Sequence, residues 1–194
     1  MRGLACATAA SLLVACAGGF VRPDEAALKI GETTPAQVIE RLGPPTSRQN
    51  FERNGQAVTQ LAYLYTAESE KQHGDATVIP SRTLYLFFHD DRLVGHEFRS
   101  TIASDHTDFD LRKARTIVAG KTTRAEVTQL LGRPGGSLTF PMINASLGEA
   151  FVYGYSQERR VPFGKPISYS KSLIITFDQR GAVSGTFYDT SGTP

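Results

Sequence analysis

A sixteen-residue stretch occurs twice in this chain, and that repetition limits what the chain can fold into more than any other feature. IGETTPAQVIERLGPP (Ile30 to Pro45) and AGKTTRAEVTQLLGRP (Ala119 to Pro134) align without a gap at an offset of 89 residues and agree at eight of sixteen positions. Unrelated segments would share about one. The offset is too long for a solenoid unit and suits a small domain, so the sequence predicts a tandem duplication. The copied letters are structural rather than catalytic, which directs the functional reading toward binding.

In the first copy Thr34 is placed to cap a helix, with Pro35 at its first position and Gln37 completing a capping box. Thr123 and Glu126 repeat the box in the second copy. Val38 and Leu42, like Val127 and Leu131, are four apart and form a short apolar stripe. Gly43 and Gly132 stop the helix and Pro45 and Pro134 prevent its continuation, while Gly31 and Gly120 turn the chain from a preceding helical piece, Asp24 to Lys29 or Asp110 to Ile117.

Beyond each helix the period changes to that of strands. Ser47 to Glu52 and Ala57 to Tyr65 flank Asn54-Gly55, a two-residue hairpin signal. The second copy has a longer loop, roughly Pro141 to Gly148, before the strand Glu149 to Tyr155. The closing hairpins, Leu84 to Phe98 and Leu173 to Phe187, realign at offset 89, and Val94 and Phe98, matched by Val183 and Phe187, are expected to face the helices. The predicted fold class is therefore α+β: two tandem units, each with two short helices on one face of a three- to four-stranded antiparallel sheet. They span residues 24–100 and 110–190, with a polar linker at 101–109.

The N-terminus carries Arg2 and then an apolar run from Leu4 to Ala15, too short to span a bilayer, which needs about 20 residues. Residues 1–15 are expected to be a signal peptide. Leu13-Val14-Ala15-Cys16 resembles the lipobox of bacterial lipoproteins, which implies a lipid on Cys16 and a tether over residues 16–23. Eight residues separate Cys16 from Asp24, a reach of roughly 30 Å at most. Cleavage there removes Cys6, so no disulfide framework is expected. It also removes Arg2, moving the formal charge from 21 − 19 = +2 to 20 − 19 = +1, which excludes a nucleic-acid footprint.

The capped helix G-x-T-x-x-x-V-x-x-x-L-G-x-P followed by a β-meander resembles the BamE (SmpA/OmlA) family of outer-membrane lipoproteins, over Asp24 to Phe98 and again over Asp110 to Phe187. That resemblance implies a lipid-anchored, periplasm-facing accessory subunit whose partners include barrel-assembly components. Ala17 after the cysteine implies, by the same analogy, sorting to the outer membrane. The chain is also similar to the two-unit β-lactamase inhibitory protein, which implies the alternative of binding or inhibiting a periplasmic enzyme.

Catalysis is not expected. His73, His89, His96 and His106 lack metal-ligand spacing, Asp90-Asp91 and Asp108 with Asp110 are explained by turns and caps, and no nucleophile elbow, P-loop or dinucleotide fingerprint is present. No cofactor or metal is expected. The segment Ser156 to Ser170 offers Arg159, Arg160, Phe163, Lys165 and Tyr169 as candidate contacts for a protein surface or anionic lipid.

Overall fold

In the computed structural model, residues 22–24, 27–66, 77–144 and 148–193 are described. The signal segment and Cys16 lie outside them, as does His73. The repeated helices form where the capping letters place them: α1 is Pro35–Leu42 and, after a short helix α2 (Leu111–Ala114), α3 is Arg124–Leu131. Both capping boxes are made, with Thr34 accepting from the Gln37 amide and Thr123 from the Glu126 amide. Gly43 and Gly132 end the helices at φ 78° and 83°. Gly31 (φ 79°) makes the turn expected ahead of the first cap; of the helical piece expected over Asp24 to Lys29, residues 25 and 26 lie outside the described residues, and the Ala27 amide donates to the Asp24 carbonyl at 2.9 Å.

The strands are β1 (Ser47–Arg53), β2 (Gln56–Thr66), β3 (Ser81–His89), β4 (Arg92–Ser100), β5 (Gly136–Leu138), β6 (Glu149–Arg159), β7 (Ile167–Phe177) and β8 (Val183–Gly192). They do not form two sheets. All eight pair antiparallel, in chain order, in one continuous sheet. The expectation of two tandem α+β units is thereby corrected: β5 joins the halves by pairing with β4 on one side and β6 on the other. With only three residues and two glycines just before Ser137, β5 carries no strand signal of its own.

Within that single sheet the copied letters make the same bonds twice. The Gly31 amide donates to the Leu93 carbonyl at 2.8 Å and the Gly120 amide to the Val183 carbonyl at 2.7 Å, while the Leu93 and Val183 amides donate back to Thr33 and Thr122. Tyr63 Oη and Tyr153 Oη each donate to the last glycine of their helix, Gly43 and Gly132, at 3.0 Å. Each helix is thus sewn to the far hairpin of its own half.

The helices cover one face of the sheet. Val38 packs on Leu61, Leu84, Leu86, Leu93 and Phe98; Val127 packs on Tyr153, Leu173, Ile175, Phe177 and Val183. A third cluster, with Val58, Phe87, Val94, Leu138 and Val152, fills part of the opposite face. Val94 therefore departs from expectation, and so does Phe187, which pairs with Ile174 on that opposite face and is 64% exposed. Register shifts at Phe87/Phe88 and Thr176/Phe177 explain both. One extra residue in a strand reverses the alternation beyond it. Phe98 and Val183 face the helices as expected.

The sheet curls toward the face without helices. Although β4 and β5 intervene, the Ile79 amide donates to the Glu158 carbonyl at 2.8 Å and the Arg160 amide to Thr77 at 2.7 Å, so the chain ahead of β3 bonds to the end of β6. Residues 139–144 cross the third cluster and reach the β1–β2 turn, where Asn54 Nδ2 donates to the carbonyls of Pro141 (2.8 Å) and Ile143 (3.1 Å). Residues 101–109 are folded as well: a 3-10 turn (Ala103–Asp105) places Asp105 against Arg82 Nε at 2.6 Å, both side chains nearly buried, and Thr107 and Phe109 are buried.

Candidate functional site

Half of the inner face is covered by residues 139–144; the other half is open and polar. Leu64 on β2, Thr83 on β3, Ser156 on β6, Ser168 and Ser170 on β7 and Ser191 beyond them on β8 line one cleft of about 290 Å³. On a flat sheet β2 and β8 would stand about 29 Å apart, six strand spacings. Only a concave surface brings them to one cleft.

Next to the cleft, in register with Thr83, stands an ion pair that sequence reasoning missed. Arg99 Nε and Nη2 donate to the two carboxylate oxygens of Glu97 at 2.7 and 3.0 Å. The Glu97 side chain is 10% exposed and that of Arg99 21%. The guanidinium lies 5.7 Å from the Tyr85 ring centroid. Burial opposes the Arg99 charge, but the Glu97 carboxylate, by charge and by hydrogen bond, and then Tyr85 outweigh it and raise its proton affinity. Gly154 on β6 makes room for the pair, since a Cβ there would collide with Glu97 Oε1 and approach Arg99 Nε to 2.8 Å. Glu-x-Arg in a strand puts both side chains on one face, but nothing in the sequence marks the pair as enclosed.

The candidate contacts read from the sequence gather on one feature, the tip of the β6–β7 hairpin. Arg159 pairs with Ile167 and Gln157 with Tyr169 across it. Phe163 sits at φ 59° and is wholly exposed, at 111% of its reference area. Lys165 and Arg160 are exposed, while Arg159 and Tyr169 are half-buried. The tip and the open cleft are neighbours, because Ser168 and Tyr169 also line the cleft.

The helical motif residues serve packing and capping. Val38 and Val127 are buried beneath their helices, whereas Leu42 remains 38% exposed. His89 Nδ1 lies 3.0 Å from the Ala57 carbonyl, His96 is buried in the sheet and His106 adopts the left-handed region. They are not brought together, and among the described residues no group of three His, Cys, Asp or Glu side chains is placed to hold a metal. Tyr155, beside the 101–109 turn, has its phenol pKa raised, chiefly by burial and then by Asp108 and Tyr169, against the opposing charge of Arg159. Lys171 Nζ is held by the Phe109 carbonyl and Asp108 Oδ1, each at 2.6 Å.

No family model matches the chain, so the resemblance of its helical motif to the BamE family rests on those letters alone. No curated protein matches it. Among solved structures, the chain is similar to a Streptococcus mutans protein described as a "putative beta-lactamase inhibitor protein", at 10% identity and a TM-score of 0.40, covering 81% of this chain and 82% of the other. A likeness this distant carries no argument about activity.

Proposed function

We propose that this chain is a non-catalytic binding protein of the bacterial envelope, held at the outer membrane by a lipid on Cys16, which receives a protruding segment of a periplasmic protein in the open half of its curled sheet. The observation that carries the reading is the chemistry of that half-face. Serine and threonine hydroxyls line it, Leu64 is 53% exposed at its edge, and the Glu97–Arg99–Tyr85 group stands beside it on paired strands. An arginine beside a tyrosine is the pairing enriched at binding hot spots, and serine hydroxyls around it supply the adaptable hydrogen bonds of polar binding surfaces. The ionisable groups that stand together, Glu97 with Arg99 and Asp105 with Arg82, neutralise each other, which suits recognition better than proton transfer. A concave surface of this kind fits a convex loop, and an enzyme of the same compartment is the partner class we favour.

Crosslinking the protein in its native membrane and identifying the adducts tests the reading, with Leu64→Asp beside wild type and Arg180→Ala, in the exposed turn at the other end of the sheet, as the control. The expected outcome is one dominant adduct that disappears in Leu64→Asp and persists in Arg180→Ala. An adduct set indifferent to Leu64→Asp sinks the proposal. Inhibition of a captured enzyme would define an inhibitor, and capture of barrel-assembly subunits an assembly accessory. Cys16→Ala should separately release the chain from the membrane or leave its signal uncleaved.

A further inference from the structure

We infer that the tip of the β6–β7 hairpin is a second membrane contact, a finger that seats its aromatic end in the headgroup layer of an anionic bilayer. Phe163 is carried at the extreme of the hairpin with its ring standing clear of the protein, and Val161 and Ile167 beside it are 36% and 40% exposed. Around these apolar groups run Arg159, Arg160 and Lys165 against the single carboxylate Glu158, so residues 158–168 carry 3 − 1 = +2. An apolar point inside a cationic collar is the pattern of interfacial insertion: the ring enters the acyl boundary while the charges stay among phosphates. A protein-binding hot spot would more commonly be embedded in surrounding contact surface, and this point stands alone.

Two further observations support the assignment. The finger is braced, because Val78 bridges to Arg159 and the Arg160 amide donates to Thr77 at 2.7 Å, while β8 flanks β7 as far as Gly192 opposite Tyr169. The chain also enters the fold at the same end of the sheet. Arg22 donates to the carbonyls of Asp105 and Pro134, and Asp105 lies in the turn that follows β4, the end past which the finger runs. Residues 16–22 reach at most about 21 Å. An anchored molecule therefore presents this end to the bilayer, an orientation that rests on the lipid-anchor reading above.

The test uses the acylated protein purified from membranes and reconstituted into vesicles of phosphatidylcholine with or without an equal part of phosphatidylglycerol. An environment-sensitive fluorophore is attached at Phe163→Cys or, at the opposite end of β7, at Arg180→Cys; the two sites stand about 36 Å or more apart along the strand. Flotation with the vesicles reports the anchor, and quenching by acyl-brominated lipid reports the finger. We expect quenching at position 163 alone. It should be stronger by severalfold with phosphatidylglycerol, weakened by high salt and weakened again by Lys165→Glu.

If the protein floats but position 163 is no more quenched than position 180, or if both are quenched alike, the finger assignment is overturned while the anchor stands. If it fails to float, the anchor reading fails, and the finger is judged by whether the soluble mature chain still binds phosphatidylglycerol vesicles about tenfold better than its Phe163→Ser variant. A photo-crosslinker at position 163 that captures a protein in cells instead of lipid would also overturn it.

Discussion

Gly154 sits where a strand glycine is normally a weakness, since it adds backbone entropy to the unfolded chain and packs nothing. Here its missing Cβ is the space into which Glu97 Oε1 and Arg99 Nε fit. Gly154→Ala is therefore expected to push the carboxylate off the guanidinium and leave both partly buried charges poorly paired. The cost should be about 1–3 kcal/mol in urea unfolding. Gly148, which meets nothing within 4 Å, provides the comparison: Gly148→Ala should change stability by less than about 0.5 kcal/mol. If the two substitutions cost the same, the ion pair does not depend on the cavity at residue 154. The same residue scale explains why the Glu97–Arg99 pair was not legible in the sequence. Glu97 and Arg99 read as an ordinary charged pair in a strand, and only the strand opposite, far along the chain, shows that they are enclosed.

The repeated helices can be compared as internal controls for each other. Thr34→Ala and Thr123→Ala should each cost about 1 kcal/mol, because each hydroxyl accepts from an amide that no intrahelical partner satisfies. Their acid behaviour should differ. The Glu126 carboxyl is held below the usual carboxylate range, first by the Thr123 amide and then by its hydroxyl, whereas Gln37 in the same place does not titrate. A carboxylate with a lowered folded pKa contributes stability that is fully present above its unfolded value and is lost as pH falls through the folded one. Thus the advantage of wild type over Glu126→Gln, measured by urea unfolding, should be present at neutral pH and vanish in acid, and a difference independent of pH would contradict the capping account. These helices were readable because caps, stripe and stop signal lie within sixteen consecutive letters. The strand faces were only partly readable. Alternation was correct as far as the bulges opposite Phe87/Phe88 and Thr176/Phe177, and there a single unpaired residue turned Val94 and Phe187 away from the side the pattern assigned.

At the scale of the molecule, the halves share a repeated motif in sequence and are one body in space, and the reason lies at a seam three residues wide. A sheet edge exposes unpaired amides and carbonyls, so each half alone would carry edges open to pairing. β5 closes one of them against β4 and presents the other side to β6. Nothing in Gly136-Ser137-Leu138 marks a strand, and pairing over such distance is invisible to local pattern, so the sequence supported two units where the structure has one. The approach is close: a Cβ on Gly136 would collide with the His96 carbonyl and lie 2.9 Å from Glu97 Cα, while one on Gly135 would lie 2.7 Å from the Phe98 carbonyl. Those neighbours are backbone and cannot swing aside as a side chain would. Gly136→Ala is thus expected to spread β4 from β5, at a cost of about 2–3 kcal/mol, and to do so locally. Hydrogen exchange distinguishes this from general loosening. The Phe98 amide, donating to Gly135, and the Thr139 amide, donating to Val94, should lose protection, while those of Leu61 and Leu173, central to their own halves, keep most of theirs. Because the concave cleft takes one wall from each side of the seam, the same variant should also lose the crosslinked partner. Unchanged protection at Phe98 would mean that the single sheet does not depend on this contact.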